Sequence, residues 1–159
     1  MIYRKKSSIA PAREVPEARV RGVLPGDLEQ VIEIDTAVTG LRKAAYWAEI
    51  LSRYGGARRQ RHFLVAEADG RIDGYVIGEV RDWEFGSAPC GWVFAISVRP
   101  DARLGGTGTR LLGAISDSFR RAGVSKLRTM LARDNQLILS FFRSQGMMAA
   151  PFIALEKDL

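Results

Sequence analysis

The chain has 159 residues, of which 47% are hydrophobic and 26% are charged, and its formal net charge is +6. This length suits one domain whose core needs no cross-link, and a single cysteine and a single histidine exclude a disulfide framework and a cysteine-based zinc site. No stretch approaches the roughly 18 apolar residues of a membrane span, and the N-terminus has no apolar signal segment, so we expect a cytoplasmic protein without a membrane partner.

Apolar periodicity predicts strands and helices in the order β-α-α-β-β-β-α-β-α-β. Residues 1–18 are polar, basic and broken by prolines, so we expect a flexible tail ahead of one folded domain over residues 19–159. Strands are predicted over residues 18–23, 62–68, 72–80, 91–98, 126–132 and 152–155. Helices are predicted after Asp27, over Leu41–Leu51, over Leu111–Phe119 and from Asn135 to Gly146.

Short motifs mark where several of these elements begin and end. Asp27 followed by Gln30 has the pattern of a capping box, which predicts the start of the first helix. Asp69-Gly70 is a strong signal for a two-residue hairpin turn. The run from Trp92 to Ile96 is almost unbroken apolar, which favours a strand buried on both faces.

The stretch after that strand is rich in glycine and leads into a helix. Gly105, Gly106 and Gly108 have no Cβ, so the backbone N–H groups of this turn can close around an anion at the helix N-terminus. The unpaired amides and the helix dipole both favour phosphate there. The sequence therefore predicts a phosphate cradle between the strand that ends at Val98 and the helix that ends near Gly123.

Two common phosphate-binding motifs do not fit this turn. A Walker loop requires Lys followed by Ser or Thr after its last glycine, whereas Thr109 follows Gly108. A dinucleotide fingerprint requires a glycine where Leu111 stands. The remaining pattern, Arg103-x-x-Gly106-x-Gly108 after a strand, resembles the acyl-CoA motif of the GNAT superfamily of N-acetyltransferases. The resemblance covers nearly everything after the tail and implies an α/β (α+β) fold with a mixed, mostly antiparallel central sheet flanked by helices.

The resemblance also implies which residues bind acetyl-CoA as cosubstrate. Asn135 lies eleven residues before Gly146, as in the family's Asn-to-Gly-Phe helix, where the Asn contacts the pantetheine side of the cofactor. A helix cap is an equally good interpretation of Asn135, and both can hold. Met147 replaces the usual aromatic residue after the glycine. The implied cofactor-binding residues are Ile96, Val98, Arg103, Leu104, Gly105, Gly106, Thr107, Gly108, Thr109, Asn135 and Phe142.

The sequence departs from the family at both proton-transfer positions. Phe142 stands where many members have a Tyr that protonates the departing CoA thiolate; a phenyl ring cannot donate a proton, so we expect Phe142 to be core or channel wall. The strand over residues 91–98 contains no acid, which leaves Glu79 and Glu84 as candidates for the catalytic base. Glu79 lies on a predicted strand, and Glu84 stands between two aromatic residues, which predicts an apolar setting for its carboxylate. These arguments do not choose between the two. Cys90 would need an activating base to act as a nucleophile, so a buried, inert cysteine is the favoured interpretation.

These features predict an N-acetyltransferase that moves an acetyl group from acetyl-CoA to a primary amine by direct attack in a ternary complex. The acceptor is the amine of a small molecule or of a protein, and acids near the hairpin favour a cationic one. One alternative is a CoA-binding regulatory module without catalysis. Another, on charge alone, is a basic nucleic-acid-binding domain, although no recognised module is present and the arginines near Tyr54 also suit a solvated helix end. The sequence is compatible with a homodimer but does not specify the oligomeric state.

Overall fold

The structure, a computed structural model, describes residues 17–159. It contains a five-stranded sheet with the strands in chain order, antiparallel except for the last, parallel pair. The strands are β1 (Arg19–Gly22), β2 (Arg61–Ala68), β3 (Arg71–Arg81), β4 (Cys90–Val98) and β5 (Leu127–Arg128). The helices are α1 (Leu28–Thr39), α2 (Ala44–Tyr54), α3 (Thr107–Arg121) and α4 (Gln136–Ser144). The predicted fold class, a mixed and mostly antiparallel sheet flanked by helices, is confirmed.

The sheet has an apolar core on each face. Trp47 from α2 packs with Tyr75 and Ile77 of β3 on one face, where α1 also lies. Leu111 and Ile115 from α3 are fully buried on the other face. Their spacing of four residues puts them on one stripe of the helix, which explains why this stripe faces the sheet. None of the helices described for residues 17–159 is long and apolar enough to cross a membrane.

The predicted hairpin turn is confirmed, whereas the predicted tail is not tested. Asp69 and Gly70 have φ values of 50° and 76°, as required for the tight turn whose twist matches that of its strands. This turn joins β2 to β3 without a further loop residue. The predicted tail, residues 1–18, lies outside the described residues except for its last two positions.

α1 begins after Asp27, as predicted, but without the side-chain hydrogen bonds of the predicted capping box. The Asp27 carboxylate accepts a hydrogen bond from the N–H of Leu24 at 2.7 Å, within a 3-10 turn that precedes the helix. Gln30 Oε1 instead accepts the N–H of Ile72 at 2.8 Å and so joins α1 to the start of β3. The capping-box prediction is therefore wrong, because the preceding turn already uses the Asp27 carboxylate.

Three predicted boundaries also differ from the structure. The second helix begins at Ala44 rather than Leu41, which is 65% exposed and adds nothing to the buried stripe. The strand predicted over residues 126–132 consists only of β5, because the chain leaves the sheet after two residues. The strand predicted over residues 152–155 does not form, since this segment pairs with none of the described strands and its apolar side chains are largely exposed.

A close contact between β4 and α3 gives a prediction about stability. An alanine at Gly91 would place its Cβ in steric overlap with the ring of Phe119, which is 2% exposed and cannot move away without repacking the core. We expect Gly91→Ala to lower the free energy of unfolding by about 1–3 kcal/mol, measured by urea denaturation. Gly22→Ala in β1 is the matched control, since no atom lies within 4 Å of its Cβ position. Equal stability of the two variants would contradict this reading of the contact.

Candidate active site

A cleft opens where β4 and β5 separate. The two strands pair only at their beginnings, where the N–H of Gly91 donates to the carbonyl of Lys126 at 2.8 Å. Further along, the hydroxyl of Thr129 donates to the carbonyl of Val93 at 2.8 Å. Beyond Val93, no described strand pairs with this edge of β4. The backbone over residues 94–98 therefore borders a cleft rather than a neighbouring strand.

A β-bulge determines which residues of β4 face the cleft. Two neighbouring residues of β3 pair with Val93 and Ala95, which leaves Phe94 between them as an extra residue. An extra residue reverses the alternation of backbone groups along a strand. Because the carbonyl of Val93 faces β5, the backbone N–H and C=O groups of Ile96 and Val98 face the open edge after the bulge.

The prediction that this strand is buried on both faces is wrong for its second half. Phe94 is 39% exposed, and residues 95–98 are only partly buried. The cause is the separation of β4 from β5, which lets solvent reach these side chains. The apolar run over residues 92–96 therefore contributes side chains to the cleft as well as to the core.

Two adjacent cavities form the cleft. The larger cavity, of about 600 Å³, lies between β4, the glycine-rich turn and α4. The smaller cavity, of about 270 Å³, lies between β4, α1 and the segment after β5. Both are lined by Val38, Ile96, Ser97, Asn135 and Ile138, so they are parts of one cleft. The predicted cofactor residues that line the larger cavity are Ile96, Val98, Arg103, Leu104, Gly106, Thr107, Gly108, Thr109 and Asn135.

The glycine-rich turn presents backbone donors to the larger cavity. Gly106 precedes α3 with φ of 77°, a left-handed conformation that favours glycine. The N–H of Arg110 donates to the carbonyl of Gly106 at 3.0 Å, the first hydrogen bond of the helix. The N–H groups of residues 107–109 therefore have no helical carbonyl to bind. Together with the helix dipole, they form a site suited to a phosphate group.

Two arginines border this turn. Arg103 lines the larger cavity, and its Nε donates to the carbonyl of Val98 at 3.4 Å. Arg110 donates to the carbonyl of Gly105 at 2.8 Å and forms an ion pair with Glu17. Arg110 thus stabilises the shape of the turn, whereas Arg103 has no carboxylate partner among the described residues. Gly105 itself lines neither cavity.

Asn135 and Phe142 both have a structural contact and a place in the lining of the cleft. Asn135 Oδ1 accepts the N–H of Ile138 at 3.2 Å, which makes it the N-cap of α4, and Asn135 also lines both cavities. Phe142 is 4% exposed, packs against Phe141 with ring centroids 5.2 Å apart, and lines the smaller cavity. Phe142 is therefore both a core residue and a wall of the cleft.

The smaller cavity contains polar groups that the sequence analysis missed. Asp35 is 6% exposed, accepts the indole N–H of Trp47 at 2.9 Å, and lies 3.0 Å from the ammonium of Lys43. Burial, followed by the negative charge of Asp35, raises the pKa of Tyr75 far above its usual range, so this phenol stays protonated. A signal for Asp35 was present, since it follows Ile32 by three positions and shares the buried stripe of α1.

Glu79 lies beside the cleft but does not line either cavity. Its carboxylate accepts the hydroxyl of Tyr54 at 2.9 Å and lies 3.3 Å from Nε of Arg81. Burial and the hydrogen bond to Glu79 raise the pKa of Tyr54, so Tyr54 is the donor in this pair. The ring of Tyr54 packs edge-on against Phe94, with centroids 5.2 Å apart, and Phe94 lines the smaller cavity. One aromatic pair therefore separates Glu79 from the cleft.

Glu84 lies farther out, on a single turn between β3 and β4. Its side chain is 44% exposed and its carboxylate is 3.8 Å from Arg81. The expected apolar setting is wrong, because Trp83 and Phe85 are 73% and 71% exposed and do not enclose the carboxylate. Glu84 lines neither cavity.

The remaining candidate residues are occupied by local contacts. Cys90 is 3% exposed, as expected for an inert cysteine. Arg53 and Arg61 both lie over the ring of Tyr54, with their guanidinium carbons 5.6 Å from its centroid. Arg58 donates to carbonyl groups at the end of α2. These arginines contact the end of α2, and their side chains are exposed to solvent.

Two curated relatives are similar to part of this chain. A stretch of 79 residues is 37% identical to an L-2,4-diaminobutyric acid acetyltransferase of Nocardia farcinica, which covers 50% of this chain and 39% of that protein. An alignment of 152 residues is 28% identical to a mycothiol acetyltransferase of Saccharomonospora viridis and covers 86% of this chain and 48% of that protein. The chain therefore matches less than half the length of each relative.

The fold is shared with a solved enzyme. An aminoglycoside N-acetyltransferase in complex with CoA superposes with a TM-score of 0.80 over 92% of this chain and 98% of the other, at 16% identity. Residues 28–147 match the profile of the Acetyltransferase (GNAT) family. Because that profile spans most of the chain, this protein belongs to the GNAT family of acetyltransferases, as the glycine-rich motif indicated.

Proposed function

We propose that this protein transfers an acetyl group from acetyl-CoA to a primary amine by direct attack in a ternary complex. The observation that carries the proposal is the continuous cleft, which has the unpaired N–H groups of the glycine-rich turn at one end and the smaller cavity with Asp35 at the other. A cosubstrate bound along it would bring its acyl end to the chamber, where an acceptor can enter. Family membership supports the class of reaction, and the relative named for diaminobutyric acid supports an amine acceptor.

The residues of the cleft fit acetyl-CoA. The unpaired N–H groups of residues 107–109 would hold the pyrophosphate, with Arg103 nearby. The outward backbone groups of Ile96 and Val98 would pair with the amides of pantetheine as an added strand would. The solved neighbour with CoA supports use of an acyl-CoA, and the modest volume of the smaller cavity, about 270 Å³, supports a short acyl group.

Acetyl-CoA supplies an activated thioester, so the chain must position the amine and remove its proton. A free alkylamine has a pKa of ~10.4 and is mostly protonated at neutral pH. A thiol has a pKa of ~8.5, so the thiolate is a tolerable leaving group that needs little help. We assign removal of the proton to Glu79 or Glu84, acting through water molecules because neither carboxylate lines a cavity of the cleft.

The proposal is tested by CoA release with a panel of amines, peptides and neutral or acidic compounds as acceptors, together with calorimetry of acetyl-CoA binding. We expect submillimolar binding of acetyl-CoA and turnover of amines only. Binding without turnover of any acceptor would favour the regulatory module, which Phe142 and the acid-free strand β4 also suit. Binding of nucleic acid that CoA does not displace would favour the other alternative, a basic nucleic-acid-binding domain.

Replacement of Phe142 tests its role as a wall. We expect Phe142→Leu to change kcat/KM through packing while leaving the shape of the pH profile intact, because a phenyl ring has no proton to donate. Phe63→Leu, a similar change in the core on the other face of the sheet, is the control for lost stability. A pH profile that changes shape only in the Phe142 variant would contradict the assignment.

A further inference from the structure

The smaller cavity has a buried carboxylate in its wall. Among the described residues that line this cavity, Asp35 is the only one with a charged side chain. We infer that Asp35 binds a second, non-reacting ammonium group of the acceptor, so that diamines and related polyamines are the preferred substrate class. This inference rests on the proposed function and narrows its acceptor.

The hydrogen bonds of Asp35 leave room for another cation. A carboxylate has about four acceptor positions on its two oxygens. Oδ2 receives the indole N–H of Trp47 at 2.9 Å and the ammonium of Lys43 at 3.0 Å. Oδ1 has only the longer contact with Lys43, at 3.3 Å. Because the side chain of Lys43 is 37% exposed, its ammonium is partly hydrated, and a substrate cation can displace it from Oδ1 of Asp35.

The reacting amine is a poor partner for this carboxylate. An opposite charge within a few ångströms stabilises the protonated form of an amine, and a protonated amine cannot attack a thioester. A carboxylate that holds the reacting group in its protonated form, without accepting the proton, would therefore oppose the reaction. Asp35 already faces two donors, the Trp47 indole and the Lys43 ammonium, so we assign it the role of an anchor rather than that of the base. The same charge is useful at a distance, because it anchors a second ammonium while the first amine loses its proton elsewhere.

The surroundings of Asp35 suit an alkyl spacer between two amines. Val38, Phe94 and Met130 give the smaller cavity apolar walls. Ser97 lies in the wall shared with the larger cavity, on the side from which the acyl group would enter. An acceptor with one amine at Asp35 and another near Ser97 would thus span the chamber with its carbon chain against apolar side chains.

The test compares matched acceptors. Purified protein is assayed by CoA release with 1,4-diaminobutane and butylamine, and with 1,5-diaminopentane and pentylamine. We expect the wild type to prefer each diamine over its monoamine by about tenfold or more in kcat/KM, the effect of one hydrogen bond to a charged group. Asp35→Asn keeps an oxygen for the Trp47 indole but removes the charge, so the preference should fall to nearly one.

Two further variants separate a binding role from a structural one. Lys43→Gln removes the competing ammonium and should increase the preference for diamines. Glu33→Gln removes an exposed carboxylate from the same helix and should leave it unchanged. Equal turnover of diamines and monoamines by the wild type, or a preference that survives Asp35→Asn, would overturn this inference alone. Binding of acetyl-CoA without acetylation of any amine would overturn the proposed function together with it.

Discussion

Gly106→Val is expected to weaken acetyl-CoA binding by about 10- to 100-fold in a protein that still folds. The loss corresponds to about one hydrogen bond to a charged group, which contributes roughly 1.5–3 kcal/mol, where 1.4 kcal/mol is tenfold. The branched side chain would occupy the phosphate cradle beside Arg110, whose Nη1 lies 3.5 Å from the Cβ position. Isothermal titration calorimetry measures the change in affinity.

The left-handed backbone at Gly106 makes a control necessary, since any side chain there is strained. Gly123→Val is matched for this strain, because Gly123 follows the other end of α3 with φ of 92° and no atom lies within 4 Å of its Cβ position. The control variant should lose a similar amount of stability but bind acetyl-CoA normally. An equal loss of affinity in both variants, or no loss at Gly106, would show that this turn is not the cradle.

The parts of the fold that depend on neighbours in sequence could be predicted. The Asp69-Gly70 turn, the glycine after α3 and the apolar stripe of that helix all follow from local backbone and side-chain geometry. The glycine-rich turn belongs to this group, because such a turn between a strand and a helix presents N–H groups whatever the rest of the chain does. The motif therefore indicated the family before any tertiary contact was considered.

The strand predictions that were wrong concern segments whose structure depends on residues distant in sequence. The segment over residues 126–132 alternates like a strand, yet it pairs for only two residues, because β4 and β5 diverge and Thr129 bonds through its side chain. The segment over residues 152–155 has strand-like residues but no described strand beside it. Alternation records the local preference of the chain, whereas pairing depends on the partner that the fold provides.

The end of the cleft at the smaller cavity could be predicted less well than the end at the glycine-rich turn. The acids singled out from the hairpin are near in sequence to β4, but neither Glu79 nor Glu84 lines a cavity. Asp35 comes to the cleft from α1, some sixty positions before the strand it faces, and no motif joins the two. The sequence signal for Asp35 was its position in the apolar stripe of α1. Acidic residues in such positions also serve as buried structural partners, so this signal does not by itself indicate a functional site.

At least one of the variants Glu79→Gln and Glu84→Gln is expected to lower kcat/KM by about 10²–10⁴-fold, the usual effect of losing a general base, with acetyl-CoA affinity unchanged. Glu79 is the nearer of the two to the cleft, because its side chain is 19% exposed and only the Tyr54–Phe94 pair separates it from the smaller cavity. Glutamine retains an oxygen that can accept the hydroxyl of Tyr54. This variant therefore removes the charge while keeping the contact.

The dependence of rate on pH distinguishes a lost base from a disturbed fold. In the wild type the rate should fall at low pH as the catalytic carboxylate takes up a proton, because a protonated carboxyl cannot accept another. Without that base, only the neutral fraction of the amine reacts, so the rate should rise about tenfold per pH unit up to the amine pKa of ~10.4. Glu49→Gln, on the exposed face of α2, is the control and should keep the wild-type profile. If both test variants also keep wild-type rates at every pH, the base lies elsewhere or the enzyme selects the neutral amine from solution.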